Sequence, residues 1–238
     1  MSTTDFFRVG CEGLQEIIIT HWHHDHLGGV PALVERFGGV PVRKYMPVGG
    51  AEQPSGKGEG AIGPYGIWPA EEFTPLEDGE VVRAEGASLR VLCTPGHADD
   101  HVSLLLEEEG SMFTGDNVLG AGTAVFNDLG KYLASLERMR SHAPDVLYPG
   151  HGPHVAAGGT RKLGEYIGHR RKRVDEVRDI VQSAGRSLTL DQITRLVYKD
   201  LAEHLIGPAA SNTRHVLAKL EADGDLVKSG DDYMAAKL

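Results

Sequence analysis

The chain has 238 residues, 40% of them apolar and 24% charged, which suits one large globular domain or a domain with a small appendix. No apolar run approaches the roughly 18 residues of a membrane span, and residues 1–10 carry neither a secretory core nor a transit-peptide pattern. The net charge of −10 opposes a polyanionic partner as a whole, because nucleic-acid binding needs Lys and Arg to displace counterions.

The two cysteines, Cys11 and Cys93, make no disulfide framework and fit a reducing compartment. Residues 15–20 hold a short β-branched run, Ile17-Ile18-Ile19, and predict a buried strand. Gly28-Gly29 then leads into a short helix over residues 30–37, with Pro31 in its first turn and Gly38-Gly39 ending it. Residues 47–69 are rich in Gly and Pro and predict a long loop. Strands are expected around Val81-Val82 and over residues 89–93. Residues 101–106 and 111–114 flank the acidic turn 107–110 as a hairpin, and Val146-Leu147-Tyr148 forms another strand.

From Arg161 the pattern turns helical. Residues 161–184 predict one long charged helix closed by Gly185. Residues 189–205 predict a second, with an apolar face at Ile193, Leu196, Val197 and Leu201 and a capping box from Thr189 to Gln192. Residues 211–222 predict a third, with Gly224 past its end. A hairpin follows around Leu226-Val227 and Tyr233-Met234. That order is the order of a winged helix-turn-helix. The expected division is therefore a catalytic domain over residues 1–158, and a linking helix with a winged-helix domain over 159–238.

Chemistry concentrates at strand ends. The first strand runs into His21-Trp22-His23-His24-Asp25-His26, which puts four potential ligands in six residues besides His24. Residues 89–93 end in Thr94-Pro95-Gly96-His97, residues 112–114 in Gly115-Asp116, and residues 146–148 in Pro149-Gly150-His151. Imidazole and carboxylate are the ligands zinc takes in catalytic sites. A lone histidine is more often structural than a ligand. Four strand-terminal ligand groups converging at one edge of a sheet, where open α/β sheets place their sites, are much harder to explain that way. Seven ligands suit two metals better than one.

His-x-His-x-Asp-His, Thr-Pro-Gly-His, Gly-Asp and Pro-Gly-His-Gly together resemble the metallo-β-lactamase superfamily, which implies an α/β fold, an αββα sandwich. By that resemblance His21, His23 and His97 would bind one metal, Asp25, His26 and His151 a second, and Asp116 would bridge them. Two zinc ions are implied, with manganese or iron fitting the same ligands. In such two-metal hydrolases the ions sit about 3.5–4 Å apart and activate a shared water. Asp25 and Asp116 would then be the catalytic carboxylates, Asp25 as the proton acceptor. His24 reads as a surface or supporting residue. Asp99 and Asp100 suit either the orientation of ligand imidazoles or a plain turn.

Two longer stretches, TPGHADDHVSLLL and EEEGSMFTGDNVL, resemble the beta-lactamase-like protein 2 family, as does the winged-helix tail. That implies an endoribonuclease acting on single-stranded RNA, in the mitochondrial matrix or the cytoplasm. Fungal thioesterases acting on acyl-carrier proteins are similar through the same segments, so an acyl thioester is the alternative substrate. A third reading makes the winged helix a docking module on an inactive metal domain. Arg214, His215 and Lys219 are too few cations for a confident DNA reader. The tail is expected to pack on the catalytic domain, extend the substrate surface or support a homodimer.

One departure stands against the family pattern. The family carries several strands before the histidine cluster, and only 20 residues precede His21 here. The sandwich is thus expected to be shortened by about 50–60 residues, judged by typical strand and loop lengths. An unpaired sheet edge and weaker metal binding would follow.

Overall fold

The computed structural model describes residues 13–47 and 68–236. Residues 1–10, Cys11 and most of the expected 47–69 loop lie outside the described residues.

The first sheet is wholly parallel. It orders β1 (Ile17–Ile19), β2 (Val42–Tyr45) and β3 (Phe73–Leu76) side by side. Between β1 and β2 the chain forms α1 (His24–Leu27) and α2 (Val30–Phe37). Gly29 caps α2, Pro31 sits in its first turn, and Gly38 ends it at φ 61°. Pairs of parallel strands need such a crossover. The helices cover the outer face of this sheet through Ile19, Leu27, Val30 and Val42.

The second sheet has five strands in chain order: β4 (Val81–Ala84), β5 (Ala87–Cys93), β6 (Val102–Leu106), β7 (Ser111–Gly115) and β8 (Leu147–Pro149). The hairpin of β6 and β7 turns through residues 107–110 as expected. Alternation splits the strands between two cores. Val91 and Val102 face the first sheet, with Leu76 and Ile18. Leu92, Met112 and Leu147 face α3 (Leu129–Ser141) and α4 (Gly159–Ala184). Helix, sheet, sheet, helix is the αββα sandwich.

The helix α3 falls in a stretch with no expected element. Its signal was nevertheless present: Asp128 caps it by accepting from the Lys131 N–H at 2.9 Å, and Leu129, Tyr132, Leu133, Leu136 and Met139 form one buried stripe. The strands β2 and β3 also carried no expectation. They alternate weakly, and Pro75 within β3 reads against a strand.

The tail folds as β9 (Leu188–Thr189), α5 (Leu190–Val197), α6 (Ile206–Ala222), β10 (Leu226–Ser229) and β11 (Asp232–Ala235), with sheet order β10-β11-β9. The Thr189–Gln192 capping box forms in both directions. The helix expected over 189–205 stops at Val197. Tyr198 leaves the helical region at φ −110°, ψ 74°, and its ring instead stacks on Arg173 of α4, 4.5 Å away. Conversely α6 begins five residues before the expected Ser211, because Pro208 falls in its first turn, where proline is tolerated.

The buried core does not stop at residue 158. It runs from Met112 and Leu136 through Val174, Val177 and Val181 of α4 to Ile193, Leu217 and Tyr233 of the tail. His215 of α6 meets the Phe126 ring at 5.6 Å, so part of the helix that a DNA-reading winged helix presents is turned onto the catalytic region. Among the described residues no helix is long and apolar enough to cross a membrane.

Candidate metal centre

The ligand-bearing strand ends meet, but they come from two sheets rather than the edge of one. β1 delivers residues 21–26. β5, β7 and β8 of the other sheet deliver His97, Asp116 and His151. A backbone bond from the Val102 N–H to the Thr20 carbonyl, 2.8 Å, locks the end of β1 to the start of β6.

All seven expected ligands assemble, in two groups. His21, His23, His97 and Asp116 offer ligand atoms within 4.8 Å of one another, as do Asp25, His26 and His151. Asp116 stands between the groups. One of its oxygens lies 3.8 Å from His97 Nε2, 4.0 Å from His21 Nε2 and 3.3 Å from His151 Nε2, and the other 3.4 Å from His26 Nε2. Asp25 Oδ2 is 2.9 Å from His151 Nε2 and 3.6 Å from His26 Nε2. His24 is exposed on α1 and belongs to neither group.

Backbone packing sets these positions. Gly96, at φ 134°, abuts the start of α3 so tightly that a Cβ would lie 2.4 Å from the Tyr132 backbone. Its carbonyl accepts the N–H groups of Asn127 and Asp128. Gly150 lets the β8 turn pass over Asp116, where a Cβ would come within 2.5 Å of Oδ1. Only glycine fits where backbone approaches a crowded site this closely.

The donor chemistry fits a divalent cation. His21 Nε2, His23 Nδ1 and His97 Nε2 lie 3.0–3.2 Å apart pairwise. His97 Nδ1–H donates to the Val125 carbonyl at 2.8 Å, so Nε2 is the nitrogen turned inward. Burial, and then the charges of His101 and His26, hold the His21 pKa far below its usual value. Burial and His97 lower that of His23. Two imidazoles held below their usual pKa, with the His97 Nε2 converging on the same point, offer lone pairs to a cation. Asp116 points the same way. Burial raises its pKa, but His26, His151 and His97 outweigh that and keep it ionised, and buried Oδ1 accepts no hydrogen bond.

Asp99 and Asp100 do not orient the ligand rings. Asp99 pairs with Lys131 at 2.8 Å on the surface. Asp100 is fully buried against Lys44 of β2. The rings are instead steered by the Val125 carbonyl and by the Thr20 hydroxyl, 3.1 Å from His21 Nδ1.

His101 is the residue that sequence reasoning missed. It is fully buried, and burial followed by the His97 charge pushes its pKa down to about 3. Its Nε2 accepts the backbone N–H of Asp116 at 3.1 Å, and its Nδ1–H lies 2.9 Å from the Thr94 hydroxyl, itself 3.0 Å from Ser103 Oγ. The neutral ring thus ties the Asp116 turn to β5 and β6. A histidine four residues after His97 was the available signal.

Known proteins agree with this architecture. The Metallo-beta-lactamase superfamily model matches residues 7–151, and that of the Beta-lactamase associated winged helix domain matches residues 189–235. The Beta-lactamase-like protein 2 homolog of Drosophila melanogaster is 37% identical over 222 residues, covering 92% of this chain and 73% of that protein. The Lactamase-like protein aptB of Emericella nidulans is 37% identical over 215 residues, covering 87% of this chain and 63% of that protein. The chain therefore spans between 63% and 73% of the length of these two relatives. A crystal structure of a beta-lactamase domain protein from Burkholderia ambifaria superposes with a TM-score of 0.75 at 24% identity, over 98% of this chain and 78% of that one. By sequence, fold and site geometry, the chain belongs to the metallo-β-lactamase superfamily of hydrolases and carries its associated winged-helix domain.

Proposed function

We propose that the protein is a dinuclear-metal endonuclease of single-stranded RNA. The observation that carries the hydrolytic part is Asp116, a carboxylate within 3.3–4.0 Å of histidines from both groups. His21, His23 and His97 would hold one ion, Asp25, His26 and His151 the other, and Asp116 would face both. Two bound divalent cations lower the pKa of a water and polarise the bond to be cut. Zinc is the ion the His and Asp set favours; manganese and iron accept the same donors.

The remaining work belongs to side chains. Asp25 is 56% exposed and His151 48%, so the side of the site they form opens to substrate. Asp25 engages His151 and His26 through Oδ2, which leaves Oδ1 to accept the proton that the attacking water gives up as its oxygen bonds to phosphorus and the P–O bond to the leaving nucleotide breaks. Buried His21 and His97 exclude bulk water from the opposite side.

The RNA part rests on the resemblance to the beta-lactamase-like protein 2 group and on the basic run Arg170-Arg171-Lys172-Arg173 in α4. Hydrolysis of an acyl thioester is the second reading, favoured by the net charge of −10. The mitochondrial matrix or the cytoplasm suits the free Cys93 thiol. A paired assay decides the substrate: single-stranded RNA and an acyl thioester, each with and without chelator, on wild type and on His97→Ala and Asp116→Ala. Chelator-sensitive RNA cleavage that both variants lose is expected. Thioester turnover alone overturns the nuclease reading, and undiminished activity in either variant overturns the metal mechanism.

A further inference from the structure

One cavity beside the metal centre combines positive charge with aromatic faces. It holds about 210 Å³ and is lined by Thr123, Phe126, His169, Arg170, Arg173 and Tyr198, among others. That is less than the roughly 300–1,000 Å³ of a drug-sized site and suits one nucleotide unit.

Its charge is not cancelled. Among the described residues no carboxylate pairs with Arg170. Its guanidinium donates to the Ala124 carbonyl at 2.7 Å and lies 4.9 Å over the Phe126 ring. Arg173 stacks on Tyr198 and shares one carboxylate, Glu176, at 2.8 Å. His169 also lines the cavity, and after burial the neighbouring Arg170 and Arg173 charges lower its pKa. The larger groove between α3, α4 and α6, about 420 Å³, differs. There Arg171 meets Glu137, Arg178 meets Asp175, and Lys219 meets Asp223, so its charges largely neutralise one another.

The loop over residues 119–126 joins the cavity to the reacting site. On one side Gly120 N–H donates to the His151 carbonyl and Val125 O accepts from His97. On the other, Tyr166 of α4 holds Leu119, Arg170 holds Ala124, and Phe126 lines the cavity. Phe126 is one residue, about 3.8 Å of backbone, from the carbonyl that orients a ligand histidine.

We propose that this cavity binds one nucleotide of single-stranded RNA next to the bond being cut, its phosphate against Arg170 and Arg173 and its base on the Arg173–Tyr198 platform. Stacking on aromatic and guanidinium faces beside a basic groove is the general chemistry of single-strand recognition. The assignment rests on the nuclease reading above.

The test uses the full chain, a fluorescein-labelled decauridylate with chelator present for binding, and bis(p-nitrophenyl) phosphate as a small substrate with metal loaded. Arg173→Gln and Tyr198→Ala are expected to weaken decamer binding by roughly 5- to 150-fold, the range of one lost stacking contact. Arg173→Gln is also expected to lower the salt slope by about 0.7, the value of one single-strand phosphate contact. The loss of decamer binding should exceed any loss of small-substrate turnover in both variants, and Tyr198→Phe should restore binding. Wild-type decamer affinity in both variants, while wild type cleaves the RNA, overturns the cavity assignment alone. A metal-loaded wild type that neither binds nor cleaves RNA overturns the nuclease reading and the cavity with it.

Discussion

Replacing His101 with leucine tests whether the buried ring positions the candidate bridging carboxylate. His101 is fully buried and touches no substrate-facing surface. Leucine removes the acceptor of the Asp116 N–H, a 3.1 Å bond. Thr94 keeps its contact with Ser103 at 3.0 Å, so one donor is orphaned. A buried unsatisfied donor costs about 1–3 kcal/mol, a large share of the roughly 5–15 kcal/mol that holds a domain together. The Asp116 turn would relax, and loss of such a partner lowers metal affinity about 10- to 100-fold. Urea denaturation of the metal-free protein reads the first effect, and competition against a chelating dye reads the second. His101→Gln, which keeps a donor and an acceptor, is expected to recover part of both. A wild-type urea midpoint together with wild-type metal affinity in His101→Leu would refute the positioning argument.

The Lys44–Asp100 pair is buried at both ends. Asp100→Leu alone should cost about 3–5 kcal/mol by stranding a buried ammonium, whereas Asp100→Leu with Lys44→Met should recover most of that. Equal urea midpoints for the single and double variants would contradict it. For Cys93, burial and then Asp78 push the thiol pKa up to about 12 from 9.0, so between those pH values the folded thiol stays protonated where an unfolded one ionises. In a Cys11→Ser background, alkylation of the native protein at pH 8 should therefore run at least roughly 100-fold slower than in denaturant. Comparable rates would show the thiol is not held in this way.

Much of the site was written locally. His21, His23, Asp25 and His26 follow an apolar strand in one short run, and His97, Asp116 and His151 each follow another with glycine beside them, so the ligand types and their strand-end placement were legible. Helix α2, the β6–β7 hairpin and the Thr189 cap were equally readable, because apolar period, glycine and capping chemistry act within a few residues. The stop of α5 at Val197 was not, since it depends on Tyr198 stacking on Arg173, a residue 25 positions earlier in the chain.

Sequence by itself determined the candidate ligand set and the family. Only the tertiary structure decided that two sheets supply it, that Asp116 lies between the two histidine groups, that Thr20 and Val125 rather than Asp99 or Asp100 steer the histidine rings, and that His101 holds the Asp116 turn. The physical reason is range. Backbone bonds such as Val102 N–H to Thr20 O, and close approaches such as Gly150 over Asp116, join residues far apart in sequence. No local period encodes them. The same packing places Arg170 and Arg173 of a helix beyond the metal-binding strands beside the loop that steers His97.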